Sequence, residues 1–344
     1  MKLFYNATTT NFGDHMNSWL WPNLIPDILD QNDEKVLVGV GSLLKADLNR
    51  VPGEKYIFGT GSGYGNPPAK EMSRDWKVYA VRGPLTAKLF NFEASSAITD
   101  GAWLIDQLPA YKIDRVRSSR TIFIPHWTSA QYGNWKKVTD LADIDFVDPF
   151  SDGPAILEKI ASSKLAIVES LHGAIFADYF RTPWIAVSSS TRILHFKWVD
   201  WCMSLGMEHS VQYLPPSDYL DFCLQGLRPI RAIPNIAERF FTAESFQYKQ
   251  NTEKLSASPA YKALIRAKTL ARNVRTSLLP TLQNNRDRFL VRRWNTEYRI
   301  LLANYLRKLS LQPGRLSSDP AREECLERLS IALARFKADV SASV

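Results

Sequence analysis

Short apolar runs that break into glycine and then into helical patterns recur up to about residue 230, and no other feature of the chain constrains its fold as much. KLFYN (2–6), KVLVGVGSLL (35–44), KYIFGTGSGYG (55–65) and KVYAVRGPLTAKLF (77–90) each read as a strand, the last one opening a helix at its exit; SSAITDGAWLI (95–105) closes the set. A polar, basic stretch at 110–120 reads as a junction, after which the pattern restarts with TIFIPHW (121–127), DFVDPF (145–150), KLAIVES (164–170) and TPWIAVSSS (182–190). Helical patterns at 154–163 and 173–180 lie between them. Near-continuous apolar strands separated by helices imply parallel sheets covered on both faces. The expected architecture is α/β: two Rossmann-like domains, 1–115 and 116–230, facing a cleft.

Beyond about residue 230 the strand signal stops, and 231–344 reads as a basic α-helical extension, with helices at 258–276, 286–309 and 321–337. In the second of these, Leu290, Trp294, Tyr298, Leu301, Tyr305 and Leu309 follow a helical spacing, with Arg288, Arg292 and Arg299 elsewhere around the helix. Charge is uneven. Residues 251–344 hold 18 Lys and Arg against 8 Asp and Glu, a net of +10, whereas the first 250 residues hold 25 against 27. Two readings of the basic tail stay open: a docked cap with solvated arginines, or a peripheral contact with an anionic membrane surface. A nucleic-acid partner is not expected, because no reading module is present and the body is near neutral. The N-terminus reads as a strand and not as a secretory signal, no run of about 18 apolar residues occurs, and three cysteines without a CxxC pair suit reduced thiols. A cytoplasmic protein is the expectation.

Chemistry is expected where strands end. In GVGS (39–42) and GTGSGYG (59–65), Gly41, Ser42, Gly61 and Ser62 let the backbone approach an anion, although neither loop is a dinucleotide fingerprint and a tight turn explains each as well. Arg82 leaves a strand just before Gly83 and Pro84 start a helix, so a guanidinium and a helix N-terminus converge on one anion site. A surface ion pair is the plainer alternative. Asp14 (in NFGD) and Asp100 (in ITDGA) each precede a helical pattern, as caps or as groups that orient or deprotonate a hydroxyl. His172 sits where LAIVES turns through Gly173 into a helix, where an imidazole can move protons near neutral pH. His126 (in IPHW) also ends a strand. No histidine pair has zinc-ligand spacing, and neither a G-x-S-x-G elbow nor a Walker loop occurs, so no metal is expected.

Taken in order, NFGD, the Gly-Ser strand ends, VRGPLTAKLF, ITDGA and SLHGAIFADYFRTPWIAV resemble the polysaccharide pyruvyl transferases, and most closely their bacterial exopolysaccharide ketal members, over roughly residues 1–190. The resemblance implies a fold like that of GT-B glycosyltransferases. It also implies transfer from phosphoenolpyruvate, a co-substrate and not a cofactor, to two hydroxyls of one sugar in a lipid-linked acceptor, giving a pyruvate ketal and phosphate. Within it, Arg82 matches the arginine that grips the donor and His172 the histidine of the catalytic cleft, with Gly41, Ser42, Gly61, Ser62 and Gly173 around the donor. His172 is then the expected general acid, with Asp14 or Asp100 serving the acceptor and His126 or Arg192 nearby. Many members carry Arg-Leu-His where this chain reads Ser170-Leu171-His172, so another cation, from among Arg181, Arg192 and Lys197, has to stand in. A GT-B glycosyltransferase using a nucleotide sugar and a non-catalytic relative are the competing readings.

Overall fold

The computed structural model describes residues 1–8, 10–30, 32–63, 75–112, 116–190, 193–218, 221 and 289–342, the side chains of 46–47 and 289–295 excepted. Two parallel sheets form the frame. The first has the order β1 (Lys2–Phe4), β2 (Lys35–Val38), β3 (Glu54–Thr60), β4 (Lys77–Val81). The second is built from β5 (Thr121–Ile124), β6 (Asp145–Phe146), β7 (Leu165–Val168), β8 (Trp184–Ser188) and β9 (Gln212–Tyr213), in the order β6-β5-β7-β8-β9. Every described strand pair is parallel. The reason lies in the strands themselves: β5, β7 and β8 are buried at every position, as a sheet covered on both faces requires.

Helices supply the cover. In the first half these are α1 (Phe12–His15), α2 (Asn17–Leu24) and α3 (Pro84–Phe90). In the second they are α4 (Trp127–Tyr132), α5 (Trp135–Ala142), α6 (Gly153–Ala161), α7 (Leu171–Tyr179) and α8 (His195–Ser204). One continuous core joins Trp21, Phe58 and Trp103 to Ile124, Phe176, Trp184 and Trp201, so side chains of both sheets' layers share it.

The strand expected within 95–105 does not form. Val81 and Ala97 make one isolated bridge, and the chain then winds into a 3-10 helix over Gly101–Gln107 that Asp100 caps by accepting from the Ala102 amide at 3.0 Å. Two backbones set this geometry. Gly59 adopts φ +71°, and a Cβ there would lie 2.3 Å from the Gly101 Cα, so the chains touch and leave no room for a side chain. Ala102 to Ile105 are all buried in the helical turn, and the Trp103 indole donates to the Ile175 carbonyl at 2.9 Å.

The described part of the expected extension is packed against both sheets. Helix α9 (Phe289–Ser310) lies on α5 and β7, and α10 (Asp319–Ser341) lies on β4 and the 3-10 helix. Between them Arg315 and Trp184 exchange both backbone hydrogen bonds, at 2.9 and 3.1 Å. Phe336 meets Tyr56, Phe58 and Tyr79 edge-on, with ring centroids 5.2–6.1 Å away. The buried stripe of α9 follows the expected spacing only in part, at the half-buried Tyr298 and at Leu309. Leu302, Ala303, Leu306 and Leu309 face inward with Arg299, which pairs with Asp218 at 2.7 Å, while Leu301 and Tyr305 face solvent. The helix expected at 258–276, with Leu290, Trp294, Arg288 and Arg292, lies outside the described residues or side chains. No described helix is long and apolar enough to cross a membrane.

Candidate functional site

A cavity of about 360 Å³ opens at the C-terminal ends of strands from both sheets, the position where open parallel sheets present loops to ligands. From the first sheet come Asn6 after β1, Gly41, Ser42 and Lys45 after β2, and Arg82 after β4, with Asn11 and Asp14 of the α1 turn and Asp100. From the second come His126 and Thr128 after β5, Ser170 and His172 after β7, and Lys197 after β8.

Local chemistry places each group. Asn11 caps α1 by accepting from the Asp14 amide at 3.2 Å, and its own side-chain amide, with that of Asn6, donates to Asp14 Oδ2 at 2.8 and 2.9 Å. Asp14 is thus held in one orientation. His172 lies in the first turn of α7, which Ser170 caps through the Gly173 amide at 3.4 Å. Its ring is clamped by α1 of the other half: a Cβ on Gly13 would sit 2.0 Å from His172 Nδ1, and Phe12 meets the imidazole edge-on at 6.5 Å. That contact requires glycine in NFGD for closeness and not for a turn.

Three buried polar atoms of lining residues, His172 Nε2, Asp100 Oδ2 and Arg82 Nε, have no hydrogen-bond partner. Burial pushes the His172 pKa below its ordinary value against the pull of the Asp100 and Asp14 charges. Burial raises that of Asp100, against the opposing effect of His172 and Arg82. Both shifts act in the same sense, since burial disfavours the charged form of each group.

Arg82 is fully buried, and the convergence of guanidinium and helix N-terminus is present, but the anion there is the protein's own. Asp200 of α8 accepts from the Leu85 and Thr86 amides at 2.9 and 3.0 Å and from the Thr86 hydroxyl at 2.5 Å, and it pairs with Arg82 Nε at 3.3 Å. This corrects the expectation that the α3 N-terminus is open to a substrate phosphate. The remaining Arg82 nitrogens donate to Ser42 Oγ at 3.1 Å, the Gly41 carbonyl at 3.5 Å and the Ser62 carbonyl at 2.5 Å. Gly61 lies beneath that guanidinium, with room for no side chain, since a Cβ would come within 2.5 Å of it.

Of the residues expected at the site, His172, Asp14, Asp100, Arg82, Gly41, Ser42 and His126 line the cavity. Gly61 and Ser62 support Arg82 from behind, and Gly173 packs on Ile124 and Val168, away from the lining. Arg192 lies outside the described residues. Among the candidate stand-in cations Arg181 is excluded by position: it reaches Asp178, Asp319 and the Ser317 carbonyl at the far end of α7. Lys197 lines the cavity. Sequence reading missed Asn6, Lys45, Asp200 and Glu169. The last is buried, with its pKa raised by that burial, and accepts from the His126 amide at 3.0 Å and from the Ser189 amide and hydroxyl at 2.6 and 2.7 Å, tying the ends of β5, β7 and β8 together. Among the described residues no cluster of His, Cys, Asp and Glu is arranged to hold a metal ion. The cavity brings cations together with a buried imidazole and a buried carboxyl, a set that suits anion binding coupled to proton transfer.

Residues 2–191 match the family described as polysaccharide pyruvyl transferase. The chain is also 38% identical over 229 residues to the succinoglycan biosynthesis protein ExoV of Rhizobium meliloti (strain 1021), an alignment spanning 66% of this chain and 72% of that protein. No solved structure matches it.

Proposed function

This chain belongs to the polysaccharide pyruvyl transferase family, and from that premise we propose that it forms a pyruvate ketal on a sugar of an exopolysaccharide repeat unit, with phosphoenolpyruvate as donor. The observation that carries the reading is the meeting of Arg82, Asp14 and Asp100 from one half with His172 from the other around a single cavity. The arrangement of two parallel sheets with their strand ends at that cavity supports a GT-B-like fold.

The donor carries a carboxylate and a phosphate, about three negative charges near neutral pH. Arg82, oriented by Asp200 and by the Gly41–Ser42 turn, supplies a fixed cation beside it. Proton transfer from His172 to the donor's methylene carbon creates an oxocarbenium-like centre at C2. One sugar hydroxyl, oriented by Asp100, attacks C2 and gives up its proton to Asp14, from which it returns to His172 for the next turnover. The C2–oxygen bond to phosphate then breaks and regenerates an oxocarbenium-like centre, the second hydroxyl attacks it to close the ring, and phosphate takes the second hydroxyl proton. Two carbon–oxygen bonds form and one breaks, with no net proton required.

Electrostatics fit this order. Burial disfavours the charged form of His172 and the arriving anion favours it, so donor binding shifts the imidazole towards the acid that the next step needs. A cytoplasmic location and a lipid-linked acceptor complete the reading. Support for the lipid-linked acceptor is the outward face of α9 and the residue just past its end, where Ile300, Leu301, Tyr305 and Leu311 are exposed beside Arg307 and Lys308, a pattern suited to peripheral contact with an anionic membrane. Full-length protein incubated with phosphoenolpyruvate and a panel of lipid-linked or nitrophenyl sugars is expected to release phosphate and add the ketal mass. Stabilisation by UDP-, GDP- or CMP-sugars with no response to phosphoenolpyruvate would favour a glycosyltransferase instead.

A further inference from the structure

We propose that Lys197 is the residue that binds the anionic donor in this cavity, and that its charge, more than that of Arg82, sets donor affinity. The inference rests on phosphoenolpyruvate as the donor. The geometry of α8 carries it. Asp200, one turn after Lys197 on that helix, accepts from the α3 amides and lies 3.3 Å from Arg82 Nε as its ion-pair partner, while Ser42, Gly41 and Ser62 accept from the other Arg82 nitrogens. The Arg82 charge is therefore balanced by a carboxylate of the protein itself. The Ser170 hydroxyl caps α7 and brings no charge. Lys197 reaches the same cavity from the first turn of α8, with His172 and Asp100 on the same lining.

The charges around Lys197 are Arg82 from the β4 exit, Asp14 from α1 and Asp100 from the start of the 3-10 helix, with Lys45, His126 and His172 elsewhere on the lining. Burial and the Arg82 charge push its pKa down to about 8, against the two carboxylates. The sign follows. The ammonium is charged below that pH and lost above it, and a bound anion holds the proton on. Donor affinity consequently weakens as pH rises through about 8 in a way that a guanidinium at the same position does not reproduce, because arginine stays charged throughout.

Titration calorimetry with phosphoenolpyruvate, and with inorganic phosphate as a second probe, tests this on full-length wild type, Lys197→Met and Lys197→Arg. At pH 7 Lys197→Met is expected to bind phosphoenolpyruvate about 10- to 100-fold more weakly, as loss of a charged hydrogen bond implies. Lys197→Arg is expected to stay within a few-fold of wild type at that pH. Above pH 8 the ratio of wild-type to Lys197→Arg dissociation constants is expected to rise, approaching tenfold per unit. Comparing these two variants cancels the titration of His172 and does not depend on the methionine variant folding. Equal binding by wild type and Lys197→Met, or a ratio that stays constant from about pH 7 to 9.5, overturns the assignment of Lys197 alone. Absence of phosphoenolpyruvate binding by wild type overturns the donor assignment, and this inference with it.

Discussion

His172 carries the largest share of the proposed chemistry, and its surroundings make a specific demand on pH dependence. Burial lowers its pKa in the free protein, while Asp100 and Asp14 oppose that shift. An acid must be protonated to act, so activity falls as pH rises through its pKa. The profile of kcat/KM reports the free protein and that of kcat the donor complex. With a donor of about three negative charges beside the imidazole, the alkaline limb assigned to His172 is expected at a higher pH in kcat than in kcat/KM. Coincident limbs would remove the coupling between donor charge and the acid. Several residues at this scale were legible from type and place alone: an imidazole at the exit of a buried strand, an arginine before Gly-Pro, aspartates before helices. Asn6 was not, since its contribution is to fix Asp14, and an asparagine after a strand carries no such signal.

At the scale of elements, the junction of α3 and α8 decides how the two halves meet. Asp200 fills the N-terminus of α3, whose own N-cap, Gly83, contributes no side-chain hydrogen bond. A Cβ on Gly83 would lie 2.0 Å from the Asp200 carbonyl oxygen and 2.5 Å from its carboxylate. Gly83→Ala is expected to cost about 1–3 kcal/mol, as steric overpacking does. Asp200→Ala is expected to cost about 3–5 kcal/mol, because it strands a buried guanidinium. Denaturant unfolding checks both; stability unchanged in either variant would mean that the junction is not closed in solution. Sequence spacing pointed to the anion site here but not to its occupant, because Asp200 arrives from more than a hundred residues away on a helix with no marked motif. The 3-10 helix at Gly101–Gln107 eluded the reading for a different reason. Its first five residues, Gly101 to Ile105, are all buried, and so short a buried run has no period by which to tell strand from helix.

For the whole molecule, the alternation of apolar runs and helical patterns was enough to place two parallel sheets, since only strands covered on both faces read that way. The C-terminal helices were legible as helices but not in orientation. On α9 two apolar stripes compete, and the one with Leu302, Leu306 and Leu309 packs on the second sheet, leaving Leu301, 69% exposed, on the outside. If that outward face meets membrane, full-length protein floats with vesicles of phosphatidylcholine and phosphatidylglycerol at low salt, and Leu301→Asp weakens flotation several-fold. Equal flotation of both proteins would assign the face to solvent. The central claim, that one cavity between the halves binds the donor and protonates it, is tested most directly by phosphate release from saturating phosphoenolpyruvate in the presence of an acceptor, for wild type against His172→Ala. The account predicts a fall in turnover of about two orders of magnitude or more with donor binding largely kept, whereas near-normal turnover in the variant would contradict it.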